Sequence, residues 1–254
     1  MSLNHGSRIV TDGLLLQLDP SNLIKHGSSP YKNLSGGSGT ITNNNFTTVD
    51  GIFRSDCVSS ATGTSYLPIT GLSSTTGSVT VQFFINITTN PNVDSNNNWR
   101  RLIAKNDGNR DPFGFVLEQS TAINFTLQTS TGNKRYLDSV FTPISSSQIG
   151  VGNWNMVTYT YNATTGDAAC YLNKDLIRSG PMTSDGSGSN ATVSGEKMAD
   201  ITSSLVMEIS HNNTSSGGDA CLPADLGPWM IYNTALTHDQ VKQNFNALRG
   251  RFGL

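Results

Sequence analysis

The amino-acid sequence predicts an all-β protein, a sandwich of two antiparallel sheets with one short C-terminal helix. Ser, Thr and Asn together make 85 of the 254 residues. Thr favours strands, whereas Asn, Ser and Gly favour turns. Charged residues contribute only 13%, about half the share of an ordinary soluble domain. Because sandwiches of this length occur as one unit and no linker divides the chain, we expect a single domain over residues 1–254.

The first half of the chain contains segments that alternate apolar and polar side chains. A buried strand is expected within Gly13–Asp19, ended by Pro20–Asn22 and followed by a long polar loop. Short strands are expected over residues 41–53, with a turn at Asp50-Gly51. The strongest alternation lies in Ser78–Thr88, which predicts a strand with one apolar face.

The second half continues this pattern. Three further strands are expected, joined by turn-rich sequence: Leu102–Lys105, Gly114–Glu118 and Ile123–Gln128. The clearest hairpin is Asn153–Asn173. The Gly/Ser-rich stretch Ser179–Ser194 predicts a loop at the sandwich edge, and Leu205–Ser210 predicts another strand.

The C-terminal region changes from a strand pattern to a helical one. Asp225–Asn233 predicts a last strand, in which Pro228 indicates an edge position or a bulge because proline cannot donate to a ladder. Thr237 and Gln240 have the spacing of a capping box, which predicts a helix over about 237–249.

Four motifs resemble a known family. They are Asp12–Asp19 with Asn33–Gly36, Ser78–Ile85, Trp154–Tyr159 with Cys170–Asn173, and Leu226–Thr237. The order of elements is similar to that of laminin-G-like members of the concanavalin-A-like lectin and glucanase superfamily. The resemblance implies a concanavalin-A-like jelly roll, and it concerns packing, so it says little about function.

The ending Gln243–Leu254 resembles bacteriophage structural proteins, especially from phages of marine bacteria and cyanobacteria. This resemblance implies a virion structural protein, either a capsid decoration or a fibre-type component, with other capsid or tail proteins as partners. The alternative is a carbohydrate-binding, lectin-like adhesion module that recognises host surface glycans. Exposed edge strands also allow association into a homo-oligomer. No secretory signal is recognisable, so we expect synthesis in the host cytoplasm followed by assembly into the virion.

Several function classes are disfavoured. A net charge of −2 and a pI near 6.0 argue against nucleic acid as a partner, and no apolar stretch is long enough to span a membrane. The glutamates Glu118, Glu196 and Glu208 do not form the paired-carboxylate pattern of a glycosidase, and the four histidines lie outside any triad motif. We therefore expect no enzymatic activity and no cofactor.

Two candidate sites remain. Asp107, Asn109 and Asp111 have oxygen ligands spaced as in a calcium loop, although Pro112 excludes an EF-hand; a plain hairpin turn is the alternative. Trp99 with Arg100, and Tyr136, combine aromatic faces with planar polar groups, which suits sugar binding.

The remaining tryptophans and the cysteines have structural interpretations. Trp154 and Trp229 lie in strands and are expected in the core. Cys57, Cys170 and Cys221 favour free buried thiols, with one disulfide between Cys170 and Cys221 as the alternative.

Overall fold

A computed structural model of the chain describes these residues: 8–23, 31–41, 46–54, 67–72, 77–88, 99–104, 113–118, 122–129, 134–136, 146–182, 191–198, 206–207 and 224–254. The strands are β1 Leu14–Leu18, β2 Tyr31–Lys32, β3 Thr40–Ile41, β4 Thr47–Val49, β5 Ile52–Arg54, β6 Leu67–Thr70, β7 Val79–Ile87, β8 Trp99–Ala104, β9 Phe113–Glu118, β10 Ala122–Gln128, β11 Lys134–Tyr136, β12 Trp154–Asn162, β13 Asp167–Leu172, β14 Asp175–Pro181, β15 Val206–Met207 and β16 Ala224–Tyr232. The helices are α1 Pro20–Leu23, α2 Ser146–Ile149 and α3 His238–Leu248, and a 3₁₀ turn follows over Arg249–Arg251.

An eight-stranded antiparallel sheet forms the centre of the molecule. Its order is β14-β13-β12-β7-β16-β5-β4, and β1 pairs with β16 beside this path. The strands β7, β12 and β16 each have nine residues. β7, the strand predicted from the alternation in Ser78–Thr88, lies between β12 and β16 in the middle of the sheet, where both of its faces are covered.

Two four-stranded sheets make the second layer of the sandwich, one in the order β11-β10-β9-β8 and the other in the order β15-β6-β3-β2. Phe125 and Leu127 from the first, and Ile41 and Ile69 from the second, join the core that also contains β7 and β12. The expected antiparallel jelly-roll sandwich is confirmed, with its second layer divided in two.

The opposite face of the large sheet is also covered. A second apolar cluster there contains Phe84 and Met230 from the sheet and Val241, Phe245 and Leu248 from α3. The inward side chains of β7 all belong to the inner core. Its outward side chains are Phe84 in this outer cluster and the polar residues Thr80, Gln82 and Asn86, so the alternation marks the two faces of the strand.

The predicted C-terminal helix is confirmed as α3. The Thr237 side chain accepts a hydrogen bond from the Gln240 backbone at 3.3 Å, and the Gln240 side chain accepts one from the Thr237 backbone at 2.8 Å. This reciprocal capping box pairs two backbone donors that would otherwise lack partners at the helix start.

A buried polar network joins α3 to the sheet and to the N-terminal segment. The Asn244 amide nitrogen donates to Gln82 Oε1 at 2.7 Å and to Tyr232 Oη at 2.9 Å, and its oxygen accepts from the Val10 backbone at 2.7 Å. Gln82 in turn donates to Thr158 Oγ1 at 2.8 Å. Because every bond has a defined direction, the network fixes the rotation of α3 on a face that apolar contacts alone would leave adjustable.

A similar arrangement holds the turn after β2. The buried Asn33 side chain accepts from the Gln17 and Ser35 backbones, both at 3.0 Å, and donates to the Leu15 and Ser38 carbonyls at 2.8 and 3.2 Å. The Asn33–Gly36 motif therefore serves packing, as the resemblance implied.

Pro228 lies in β16, which pairs with β7 on one side and with β1 and β5 on the other. The register shifts between Leu226 and Trp229. The bulge alternative is therefore right and the edge alternative is wrong: the irregularity accommodates a residue without an N–H inside the sheet.

Three sequence interpretations need correction. The predicted loop Ser179–Ser194 begins with the last residues of β14, and near its other end Thr192 is buried and exchanges hydrogen bonds with Met182. Residues 183–190 lie outside the described residues. Pro20–Asn22, predicted to end β1, also begin α1, because the Asp19 side chain accepts from the Ser21 backbone at 3.0 Å and caps this turn. The strand β14 was also not predicted from the sequence.

Cys170 is a free, buried thiol, as the sequence favoured. Burial raises its pKa to about 12, so it stays protonated at neutral pH. The other two cysteines lie outside the described residues.

Candidate binding site at the end of the large sheet

A row of polar and aromatic side chains crosses four neighbouring strands at one end of the large sheet. Trp154 of β12 is directly opposite Asn86 of β7, Asn86 is opposite Asp225 of β16, and Asp225 is opposite Arg54 of β5. Residues directly opposite in antiparallel strands point to the same face, with Cβ atoms about 4.5–5.5 Å apart. We call these four residues the sheet-end row; it spans about 14 Å across three strand spacings.

The row lies on the outer face, the one that α3 covers further along the strands. In β7 and β16 the neighbours Ile85 and Leu226 point to the inner core, so Asn86 and Asp225 point outward. On β12, Trp154 packs against the outer cluster. The sequence interpretation of Trp154 as core is therefore right in part: it packs on a core, but it remains partly exposed.

Asp225 and Arg54 form the charged part of the row. Arg54 donates to both carboxylate oxygens of Asp225, at 2.9 and 3.2 Å. Only 8% of the Asp225 side chain is exposed, against 51% for Arg54. The hydrogen bond and charge of Asp225 raise the pKa of Arg54, so the pair is a neutral unit with its guanidinium towards solvent.

Asn86 is the unsatisfied member of the row. Its Oδ1 is buried without a hydrogen-bond partner, and among the described residues only Trp229 Nε1 shares this condition. A buried acceptor left unpaired costs about 1–3 kcal/mol. Trp229 lies fully inside the inner core, stacked on Phe83 at 4.3 Å between centroids, whereas Asn86 is partly exposed at the sheet end.

An aromatic group forms the boundary between the row and α3. Phe252 stacks on Phe84 at 4.4 Å and lies 4.6 Å from Trp154, centroid to centroid. A Cβ at Gly227 would come within 2.8 Å of both Phe252 and Phe84. The glycine therefore leaves the space that Phe252 occupies.

The C-terminal turn is held in place by an ion pair. Arg251 donates to both carboxylate oxygens of the buried Asp19, at 2.7 and 3.0 Å, and its guanidinium lies 5.4 Å from the Phe252 ring centroid. One side of the row is consequently a rigid aromatic surface made by Trp154 and Phe252.

The structure places the predicted sugar-binding residues on the four-stranded sheet β11-β10-β9-β8. Trp99 and Arg100 begin β8, and Tyr136 ends β11, so they lie on the two outer strands. Along the sheet, Trp99 is level with Ala122 and Tyr136 with Thr126. These positions are about 14 Å apart across the strands and about 13 Å apart along them, so the backbone brings Trp99 and Arg100 together and keeps Tyr136 apart.

The predicted calcium ligands Asp107, Asn109 and Asp111 lie outside the described residues. Within the described ranges, no group of three or more His, Cys, Asp or Glu side chains could hold a metal ion. None of the described helices is long and apolar enough to cross a membrane.

Sequence reasoning missed the sheet-end row because its members come from four separate segments. Asp225 and Arg54 are 171 positions apart. The usable signal was the alternation in Ser78–Thr88: Asn86 falls between Ile85 and Ile87, which places its side chain on the face opposite these apolar residues.

Comparison with known proteins identifies the class. Residues 61–242 match the family model described as concanavalin A-like lectin/glucanases superfamily. The match covers more than half of the chain, and the chain belongs to this family. No curated protein matches.

Several solved structures of similar fold are toxin binding domains. The binding domain of botulinum neurotoxin serotype D has a TM-score of 0.59 at 15% identity, over 93% of this chain and 52% of that one. The binding domain of Paraclostridial Mosquitocidal Protein 1 has a TM-score of 0.60 at 17% identity, again over 93% and 52%. The serotype D ligand binding domain in complex with N-acetylneuraminic acid has a TM-score of 0.59 at 14% identity, over 93% of this chain and 51% of that one. The chain thus spans about half the length of these structures, and the likeness concerns the fold.

Proposed function

We propose that this chain is a non-catalytic binding domain that serves on the surface of a bacteriophage virion, as a capsid decoration or a fibre-type component. It would be made in the host cytoplasm and bind other capsid or tail proteins. The resemblance of Gln243–Leu254 to phage structural proteins and the charge-poor, Ser/Thr/Asn-rich composition support the virion setting.

The observation that carries the binding role is that the Asp225 carboxylate is already engaged by Arg54. Glycoside hydrolysis needs two carboxyl groups facing each other across the scissile bond, one of them able to give up a proton. Asp225 is the one carboxylate of the sheet-end row, and both of its oxygens are held by Arg54. The row therefore offers contacts to a ligand without an acid and a nucleophile.

Association with a shell would use the exposed edges of the large sheet. In the sheet order, β14 and β4 are the outermost strands, and β14 exposes Leu176. Edge strands promote pairing with other chains, including copies of the same chain, and repetition on a symmetric shell strengthens weak contacts through avidity.

The test is reconstitution on particles. Purified protein is mixed with capsids that lack it, the particles are pelleted, and the bound copies are counted and imaged. Saturable occupancy at regular positions is the expected result. Absence of binding to capsids, with tails giving the same result, would remove the virion proposal.

The sheet-end row favours a second candidate, a carbohydrate-binding, lectin-like adhesion module. An aromatic ring beside planar amide, carboxylate and guanidinium groups suits sugar hydroxyls and ring faces. A botulinum domain of similar fold has been crystallised with N-acetylneuraminic acid, although the matched half is only part of that chain. Trp99, Arg100 and Tyr136 remain further candidates, as does a calcium ion at Asp107, Asn109 and Asp111. A glycan array with the whole chain distinguishes this candidate from a purely structural role.

A further inference from the structure

We infer that the sheet-end row, Trp154, Asn86, Asp225 and Arg54, is a subsite for a neutral saccharide whose hydroxyl group donates a hydrogen bond to the Asn86 amide. The inference rests on the carbohydrate-binding candidate above and adds the class of saccharide and the hydrogen bond that recognises it. It differs from the sequence-predicted residues, which lie on the opposite layer of the sandwich.

Charge determines the ligand class. Arg54 and Asp225 neutralise each other through two hydrogen bonds, and the other two members of the row carry no charge. A ligand carboxylate would face the nearly buried carboxylate of Asp225 while competing with it for Arg54, so an anionic sugar is disfavoured. A neutral sugar leaves the ion pair intact.

The hydrogen-bonding groups point the same way. Asn86 Oδ1 lacks a donor, and the two Asp225 oxygens accept one Arg54 bond each while a carboxylate has about four acceptor positions. The row therefore has more acceptors than its own donors satisfy. The terminal torsion of an asparagine is broad, so the amide of the partly exposed Asn86 can turn its oxygen towards a ligand hydroxyl on the solvent side.

The remaining members define how the ring would lie. Trp154 packs against Phe252, with 4.6 Å between the ring centroids. Trp154 is nevertheless partly exposed, at the end of the row. An aromatic surface held by packing loses little entropy when it binds. Because Trp154 is next to Asn86 in the sheet register, one pyranose ring can contact the tryptophan and place a hydroxyl at the amide.

Asn86→Ala separates a binding role from a structural one. In the free protein Asn86 Oδ1 has no partner, so removing it takes away no hydrogen bond of that oxygen, and we expect an unchanged or higher Tm. Binding should weaken at least tenfold because the bond to the ligand is lost. The matched control is Asn246→Ala, the same change at an exposed position of α3.

The experiment uses the full chain and two sets of probes, neutral gluco-, galacto- and manno-oligosaccharides and the anionic 3′-sialyllactose, in an array followed by calorimetry. The expected result is binding of a neutral oligosaccharide that Asn246→Ala keeps and Asn86→Ala loses, with Tm maintained in both. Equal binding by both variants would refute the row while leaving carbohydrate recognition in place elsewhere. Binding of sialyllactose alone would refute the ligand class, and no binding at millimolar probe would remove both this inference and the carbohydrate-binding candidate.

Discussion

The buried network around Asn244 gives the sharpest test of how α3 is fixed to the sheet. In Asn244→Ala, the Val10 N–H and Gln82 Oε1 lose the bonds that they make at 2.7 Å. Each orphaned group costs about 1–3 kcal/mol, and the better helix propensity of alanine returns about 0.5 kcal/mol. For the two groups together we expect a net loss of about 1.5–5.5 kcal/mol in the free energy of unfolding.

Urea denaturation followed by circular dichroism measures this loss. The midpoint should fall while the slope with denaturant stays constant, since the surface exposed on unfolding is unchanged. Asn246→Ala is the matched control, because it makes the same change on the solvent side of the same helix. It should be neutral or slightly stabilising. A difference below about 1 kcal/mol between the two variants would refute the network as a stabilising element.

A double-mutant cycle tests the coupling within the network. Gln82 bonds both Asn244 and Thr158, so Asn244→Ala and Gln82→Ala share a partner. Their combined loss should be smaller than the sum of the single losses by about 0.5–3 kcal/mol. Strict additivity would mean that the two amides act independently in the folded protein.

Further predictions concern positions whose surroundings are equally well defined. Gly227→Ala should lower the free energy of unfolding by about 1–3 kcal/mol through overpacking against Phe252 and Phe84. The same substitution should cost less in a Phe252→Ala background, and an equal cost in both backgrounds would contradict this packing. The pKa of Cys170 is raised to about 12 in the folded state and is about 8.5 in the unfolded state. The protonated thiol therefore stabilises the folded state fully below pH about 8.5, and this contribution is lost as the pH rises towards 12. With the other cysteines replaced by serine, the free energy of unfolding should fall between pH 7 and 9.5 more steeply than in Cys170→Ala, and parallel profiles would contradict this. Asn33→Asp should lower the free energy of unfolding, measured by thermal denaturation, by about 2–4 kcal/mol, because the new carboxylate faces the two carbonyls to which the amide donates. Asn246→Asp, at an exposed position, should lower it much less.

The strands and the C-terminal helix could be predicted because their signals are local. Alternation in Ser78–Thr88 and the Thr237–Gln240 capping box each depend on residues within one segment, and the structure confirms both. The short helix α1 also had a local signal, an Asp followed by Pro at the first helical position, which was interpreted as a stop. Ser179–Ser194 was interpreted from composition alone, and composition does not show that Thr192 is buried.

The sheet-end row could not be predicted because it exists only in the register of four strands. Pro228 illustrates the same limit: the sequence allowed an edge or a bulge, and only the pairing of β16 on both sides decides for the bulge. The candidate sugar-binding residues that the sequence predicts are aromatic residues near basic groups. That criterion overlooks Trp154, because a residue in a strongly alternating strand is assigned to a core even when the strand end lies beyond the covering helix.

The position of the row follows from the way α3 covers the outer face. The helix ends at Leu248, and Phe252 covers the sheet as far as Gly227. Beyond this point the outward positions of β7, β16 and β5 carry the polar residues Asn86, Asp225 and Arg54. Stability alone would be served by fully satisfied polar groups there, and Asp225 with Arg54 meets that requirement. Asn86 does not, since its oxygen is buried and unpaired, and an amide that lacks a partner within the fold at a cost to stability is the pattern expected of a residue whose partner is a ligand.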